Sequence, residues 1–211
     1  FFGEDEKLEK SLMKYAGKDE IEKLKKISKM AKFEYVVQGE PYGNGGAVLW
    51  AKKYLKKEPF VVAWGDEVIL TKKKPRIKQC IEVFEKFGKP VISAVKIKNP
   101  EDRCRYGMAE LKAFKGGNKN VCEIVGIVEK PAKGEEPSSY AAHGAYVLPY
   151  EIIKYLEKTP RGKGGELWLT DAINLMKKET GLLAKIIEDG EYLDCGNPEE
   201  YLKSQIKYAN F

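Results

Sequence analysis

Histidine is almost missing from this chain: His143 is the only one in 211 residues. It stands beside an alanine run and reads as a packed or half-exposed side chain, so hydrolysis through a histidine-based triad is not expected. Cysteine is sparse and scattered. Cys80, Cys104, Cys122 and Cys195 form no Cys-x-x-Cys pair, which argues against a zinc cluster and for idle thiols in a reducing, cytoplasmic setting. Arginine is scarce too, with Arg76, Arg103, Arg105 and Arg161 the only ones among 38 basic residues. Base readout and bidentate phosphate gripping rely on arginine clusters, so the net charge of +6 does not read as a nucleic-acid surface. No apolar run nears the roughly 20 residues of a membrane helix, and no secretory signal is visible. Also missing are an initial methionine and the opening strand with a glycine-rich turn usual in an α/β nucleotide-binding domain. The chain begins at Phe1 on a charged helical pattern, so it is expected to be the C-terminal portion of something longer.

What is present is globular. Hydrophobic residues make up 43% and aromatics 11% of the chain, enough for one substantial α/β domain. Near-helical spacing over residues 4–30, interrupted at Gly17, predicts two helices. Residues 33–37 are aromatic and β-branched and read as a strand. A glycine-rich loop follows, then a helix over 47–55, an apolar strand over 59–64, a helix over 76–87 closed by Gly88, and a strand over 90–98. MAELKAF, VCEIVGIVE and SSYAAHGAYVL are strand-like segments between turn-rich ones, which reads as antiparallel pairing or an inserted sheet. Helices over 150–158 and 166–179 come next, then short strands over 182–188 and 191–193. Asn197-Pro198-Glu199 caps a last helix. The expected fold is a single α/β domain with a mixed sheet.

Four segments carry candidate chemistry. Asp66 closes one strand and Asp194 another, and ligands of α/β folds gather where strands end and the chain turns toward a helix. Two carboxylates meeting there could hold one Mg²⁺ against a phosphate; alternatively both are turn residues. QGEPYGNGGA lies between a strand and a helix, where glycines let backbone N–H groups approach a ligand. It has neither the Walker nor the dinucleotide spacing, and a plain tight loop fits it as well. Gln38, at its start, carries an amide that donates and accepts, as a pyrimidine edge does. Glu129-Lys130-Pro131 ends an apolar strand; Lys130 could meet a phosphate while Glu129 accepts sugar hydroxyls, or the two form a surface ion pair.

In order, VVQGEPYGNGGAVLWA, FVVAWGDEVI, RYGMAEL, VGIVEKP, AAHGAYVL, GGELWLTDAI and YLDCGNPEEYL resemble the bacterial and archaeal sugar-1-phosphate nucleotidyltransferases. Within that family they are most similar to the branch that joins UTP to glucose 1-phosphate. The resemblance runs from about Phe33 to the C-terminus. It implies a doubly wound, Rossmann-like core with a mixed sheet over residues 1–211, with 1–32 a helical excursion and 33–211 a core without its first strand and glycine-rich loop. It implies formation of UDP-glucose and pyrophosphate with Mg²⁺, in a homo-oligomer (dimer or tetramer). Carried over by residue, Gln38 and Gly43 would lie against uracil, with Gly39 and Gly45 shaping the loop. Asp66 and Asp194 would hold the metal, and Lys130 the sugar phosphate. Gly107, Glu129 and Gly144 would face glucose, with Glu166 near the sugar. Members of the family begin with a G-x-G-T-R loop and a P-K pair that grip the triphosphate, and neither occurs here; the chain as given is expected to be inactive alone. Gly46 also departs, standing where relatives often carry a larger polar residue. A sister enzyme using dTTP or GTP, and a sugar-nucleotide-binding module without turnover, are the alternatives.

Overall fold

The computed structural model describes residues 6–15, 18–72 and 74–211. The Gly17 break expected between the first helices lies outside the described residues. The chain divides into two compact units, 1–37 and 38–211. In the first, helix α1 (Glu6–Tyr15) packs with helix α2 (Lys18–Ser28). The strand expected at 33–37 does not form: the segment has no sheet pairing, with Tyr35 and Val37 largely exposed. β-branched and aromatic residues become a strand only where an edge is available to complete their backbone hydrogen bonds.

The second unit is built on a six-stranded sheet. In chain order its strands are β1 (Phe60–Ala63), β3 (Val91–Lys96), β4 (Gly107–Ala113), β5 (Val121–Glu129), β6 (Tyr140–Leu148) and β7 (Leu183–Ile186). They lie in the spatial order β1-β6-β3-β7-β5-β4. β3 and β7 pair in parallel and the other ladders are antiparallel. The stretch of different character after residue 98 is therefore an antiparallel hairpin joined to the main sheet, with β4 touching β6 again at Met108 and Ala141. A separate two-stranded ribbon pairs β2 (Glu67–Thr71) with β8 (Gly190–Asp194).

Alternation along the central strands buries opposite faces against different helices. On one side Ile92, Tyr146, Leu148 and Ala184 join residues of α3 (Asn44–Trp50), α5 (Ile152–Lys158) and α6 (Leu169–Thr180) in the main core. On the other, Val91, Val147 and Leu183 pack with Cys80 and Val83 of α4 (Arg76–Phe87). Helices on both faces of a mixed sheet make this the α/β architecture read from the sequence. Three helices start elsewhere than expected, α5 at Ile152 rather than residue 150. α3 begins at Asn44 and gives way to a 3-10 turn at Ala51–Tyr54. α6 begins at Leu169 rather than residue 166, because Leu167 is held extended by hydrogen bonds to the glycine loop, with Leu167 N–H on the Tyr42 carbonyl at 2.8 Å. The last helix, α7 (Pro198–Ala209), is capped by Asn197, whose side chain accepts from Glu200 N–H at 3.0 Å.

Candidate active site

The β2–β8 ribbon brings the two strand-end aspartates together. It sets Glu67 opposite Asp194, and Cys195 N–H donates to the Asp66 carbonyl at 2.8 Å. A Cβ added at Gly196 would stand 3.2 Å from both Asp66 Oδ2 and Asp194 Oδ1. Two hard carboxylate oxygens around one point suit a small divalent cation that takes its remaining ligands from phosphate and water. Among the described residues no cluster of three or more His, Cys, Asp or Glu is gathered for a metal.

A cleft of about 470 Å³ opens from this corner across the strand ends. Asp66 and Asp194 line it together with Gly107, Glu129 and Lys130. Gly107 and Glu129 are paired across β4–β5, and a Cβ at Gly107 would lie 2.9 Å from Glu129 Oε2. The carboxylate thus lies over the glycine, where a larger residue would push it away. Protein crowding on one side raises the Glu129 carboxyl above the usual range, Lys130 opposes the rise and Asp171 of α6 adds to it. Lys130 sits at φ +44, a left-handed turn costly for a side-chain-bearing residue. Its N–H is anchored to the Tyr106 carbonyl at 3.1 Å.

The glycine loop closes beside the cleft and reaches it through Asn44. The Gln38 amide nitrogen donates to the carbonyls of Pro41 and Gly43 at 3.1 and 3.0 Å, so its donor side staples the loop. Gly45 N–H donates to Leu167 C=O at 2.9 Å, and the Asn44 side chain accepts from Leu169 N–H at 2.8 Å, capping α6. Gly43 has φ +96 with the Leu167 carbonyl 2.6 Å from a notional Cβ. Gly39 lies against the Trp50 ring. At Gly46 an added Cβ would stand 1.9 Å from the Pro41 carbonyl oxygen. The departure noted there is therefore a requirement of this loop's closure. Of the loop residues only Asn44 lines the cleft; Gln38, Gly39, Gly43 and Gly45 do not.

Gly144 and Glu166 are not lining residues either. Gly144 is buried at φ +75, with Arg76 Nη1 and Glu67 Oε2 each 2.1 Å from its notional Cβ. Glu166 stands beside Gly43.

The family model of nucleotidyl transferases matches residues 12–210. The chain belongs to the nucleotidyl transferase family. A UTP–glucose-1-phosphate uridylyltransferase from Staphylococcus epidermidis is 36% identical over 209 residues, 99% of this chain and 70% of that protein. One from Bacillus subtilis is 32% identical over 93% of this chain and 64% of its own length. Among solved structures, a UDP-glucose pyrophosphorylase complexed with UDP-glucose superposes with TM-score 0.83 at 26% identity, covering all of this chain and 75% of the other. A UTP-bound UGPase from Acinetobacter baumannii gives 0.78 at 28% identity, over 99% and 71%.

In this nucleotidyl transferase His143 is packed, as its sequence context suggested, but the polar group it joins and the neighbouring Arg105 escaped the sequence reading. Glu67, Arg76 and His143 form a buried polar group beneath the aspartates. His143 Nδ1 lies 3.0 Å from Glu67 Oε1, and Arg76 Nη2 donates to the Glu67 carbonyl at 3.3 Å. Glu67 Oε2, Arg76 Nη1 and His143 Nε2 have no hydrogen-bond partner. Burial, with Asp66 and Asp194 nearby, pushes the Glu67 carboxyl up to about 7 against the pull of Arg76. Burial and Arg76 hold the His143 imidazole down at about 4. Its ring lies 5.0 Å from that of Tyr106 and 4.5 Å from that of Tyr192. Glu67 was legible only as the residue after Asp66, and Arg76 only as a helix start. Arg105 was likewise hidden; it reaches Asp194 with Nη2–Oδ2 at 3.1 Å.

Proposed function

We propose that this chain carries the uridylyl-transfer site of a UTP–glucose-1-phosphate uridylyltransferase. The observation that carries the reading is the arrangement of one cleft: Asp66 and Asp194 at one corner, with Glu129, Lys130 and Gly107 along the wall. That arrangement supports a reading with a divalent seat, a cation and a sugar-hydroxyl acceptor along a single ligand path. Relatives of this name, and a similar structure with UDP-glucose bound, support the choice of substrates.

Chemically, a phosphate oxygen of glucose 1-phosphate attacks the α-phosphorus of UTP. The new P–O bond gives UDP-glucose, the bond to the β-phosphate breaks, and its electrons leave with pyrophosphate. The protein has little covalent work to do; it positions the reactants and neutralises charge. Lys130 binds the sugar phosphate and Glu129 and Gly107 hold the glucose hydroxyls, while Gly144 packs on the buried Glu67 and Arg76 and Glu166 on the glycine loop, behind the side chains that meet the sugar. The loop from Gln38 through Gly39, Gly43 and Gly45 receives uracil, leaving the Gln38 amide oxygen to accept while its nitrogen holds the loop. Asp66 and Asp194 would hold Mg²⁺, which when bound supplies charge neutralisation at the phosphates. Residues 1–211 act as one nucleotidyltransferase domain. The four unpaired thiols fit a reducing cytoplasm, and none of the described helices is long and apolar enough to cross a membrane. We assign a homo-oligomer on family grounds.

The test is UDP-glucose formation from UTP and glucose 1-phosphate by the full-length protein. Turnover should require Mg²⁺ and fall by about 100-fold or more in Asp66→Asn. Wild-type rates in that variant would remove Asp66 from the metal seat.

A further inference from the structure

Arg105 has no part in the function just described, yet it is one of two lysine or arginine side chains lining the cleft beyond the buried group, the other being Lys130. It ends a 3-10 turn, Pro100–Arg105, immediately before β4. Its Nη2 lies 3.1 Å from Asp194 Oδ2, while Nη1 stands 3.7 Å from Asp102 Oδ1 and 3.8 Å from Glu200 Oε1. Only the Asp194 contact has hydrogen-bond length. The other Asp194 oxygen accepts from Gly196 N–H at 2.8 Å. An internal cation therefore already sits on one of the two carboxylates assigned to the metal.

A guanidinium and a dication on one carboxylate repel each other at close range. Their joint occupancy weakens both, so one should yield. The Arg105 side chain is 38% exposed while that of Asp194 is only 18% exposed, so the arginine is the partner free to rotate away. A planar guanidinium fork is also well matched to phosphate oxygens, and the cleft beside it is the path proposed for the phosphates. We propose that Arg105 is a placeholder cation, which neutralises Asp194 until a divalent ion enters and then transfers to the phosphates of the bound nucleotide. This rests on the metal reading of Asp66 and Asp194. The competing role is a strut: Arg105 would simply tie the 100–105 turn to α7 through Glu200.

The two roles separate in direct Mn²⁺ binding followed by electron paramagnetic resonance, without nucleotide, on the full-length protein. Arg105→Met removes the competing charge and keeps the alkyl stem; it should bind Mn²⁺ about fivefold more tightly than wild type. Arg105→Lys restores the charge and should return affinity close to wild type. With saturating Mn²⁺, Arg105→Met should bind UDP-glucose about tenfold more weakly. Unchanged or weaker Mn²⁺ binding in Arg105→Met would overturn the proposal while leaving the metal seat in place, and a lowered melting temperature beside it would make Arg105 a strut. Asp66→Asn serves as the control for the seat itself. If it binds Mn²⁺ as wild type does, the metal reading fails and the placeholder role falls with it.

Discussion

Asp66, in the turn just before β2, and Asp194, the last residue of β8, lie 128 positions apart, yet carboxylate oxygens of both stand 3.2 Å from where a side chain on Gly196 would begin. The pairing of β2 with β8 makes this so, since Glu67 faces Asp194 across the ladder. Gly196 has no left-handed backbone requirement, and its neighbours at that distance are the tips of side chains. Gly196→Ala should therefore fold, with melting lowered by no more than about 1 kcal/mol of stability. Its methyl would occupy the space between the carboxylates, and Mn²⁺ affinity should fall about tenfold or more. Calorimetric titration of Mn²⁺ against wild type and variant is the check; unaltered affinity would place the ion elsewhere.

Gly144 and Gly134 form a natural comparison. Both have positive φ, +75 and +86, but a Cβ at Gly144 meets Arg76 and Glu67 at 2.1 Å while Gly134 faces open space. Gly134→Ala should cost about 1 kcal/mol, the conformational penalty alone. Gly144→Ala must also part the buried polar group and should cost about 3 kcal/mol or more. Urea unfolding of both variants measures the difference, and equal losses would contradict the packing described.

The glycine loop gives a third expectation. At Gly46 a Cβ would lie 1.9 Å from the Pro41 carbonyl oxygen, a backbone atom, and 2.9 Å from the Gln38 amide nitrogen that staples the loop. Gly46→Ser should open the loop, costing about 2 kcal/mol, and raise KM for UTP more than KM for glucose 1-phosphate. Steady-state kinetics in both substrates tests this, and a change confined to the sugar would count against a uracil-binding loop.

His143 gives a pH dependence whose sign can be worked out. Its folded value of about 4 lies below the roughly 6.5 of an unfolded chain. Between these values the unfolded state binds a proton that the native state refuses, so this contribution to stability is present above about pH 6.5 and is lost as pH falls toward 4. Glu67, raised to about 7, acts in the opposite sense. Replacing the histidine isolates its share. On going from pH 7 to pH 4.5, wild type should lose about 1–3 kcal/mol more stability than His143→Gln. Equal losses by urea unfolding would mean that the imidazole is not held neutral.

Local sequence carried much of the architecture. α4 occupies the expected residues 76–87, because an apolar face, Gly88 in left-handed geometry and a flanking proline all coincide there. Asn197 caps α7 for the same kind of reason. What local pattern cannot reveal is pairing. Residues 33–37 look like a strand but join no sheet, whereas Glu67–Thr71 forms one because β8 lies alongside it. The cleft followed the same division. Asp66, Asp194, Gly107, Glu129 and Lys130 stand at strand ends and were legible from motif order. Arg105, Arg76 and His143 matter through contacts across 89, 9 and 76 positions respectively. Neither periodicity nor spacing encodes such contacts.

The central claim is that the cleft recognises a uridine nucleotide sugar. Calorimetric titration of the full-length protein with UDP-glucose and GDP-mannose, both in the presence of Mg²⁺, tests it directly. We expect UDP-glucose to bind at least about tenfold more tightly, a difference of roughly 1.4 kcal/mol, and Asp66→Asn to weaken it. Equal affinities, or a preference for GDP-mannose, would contradict the assignment.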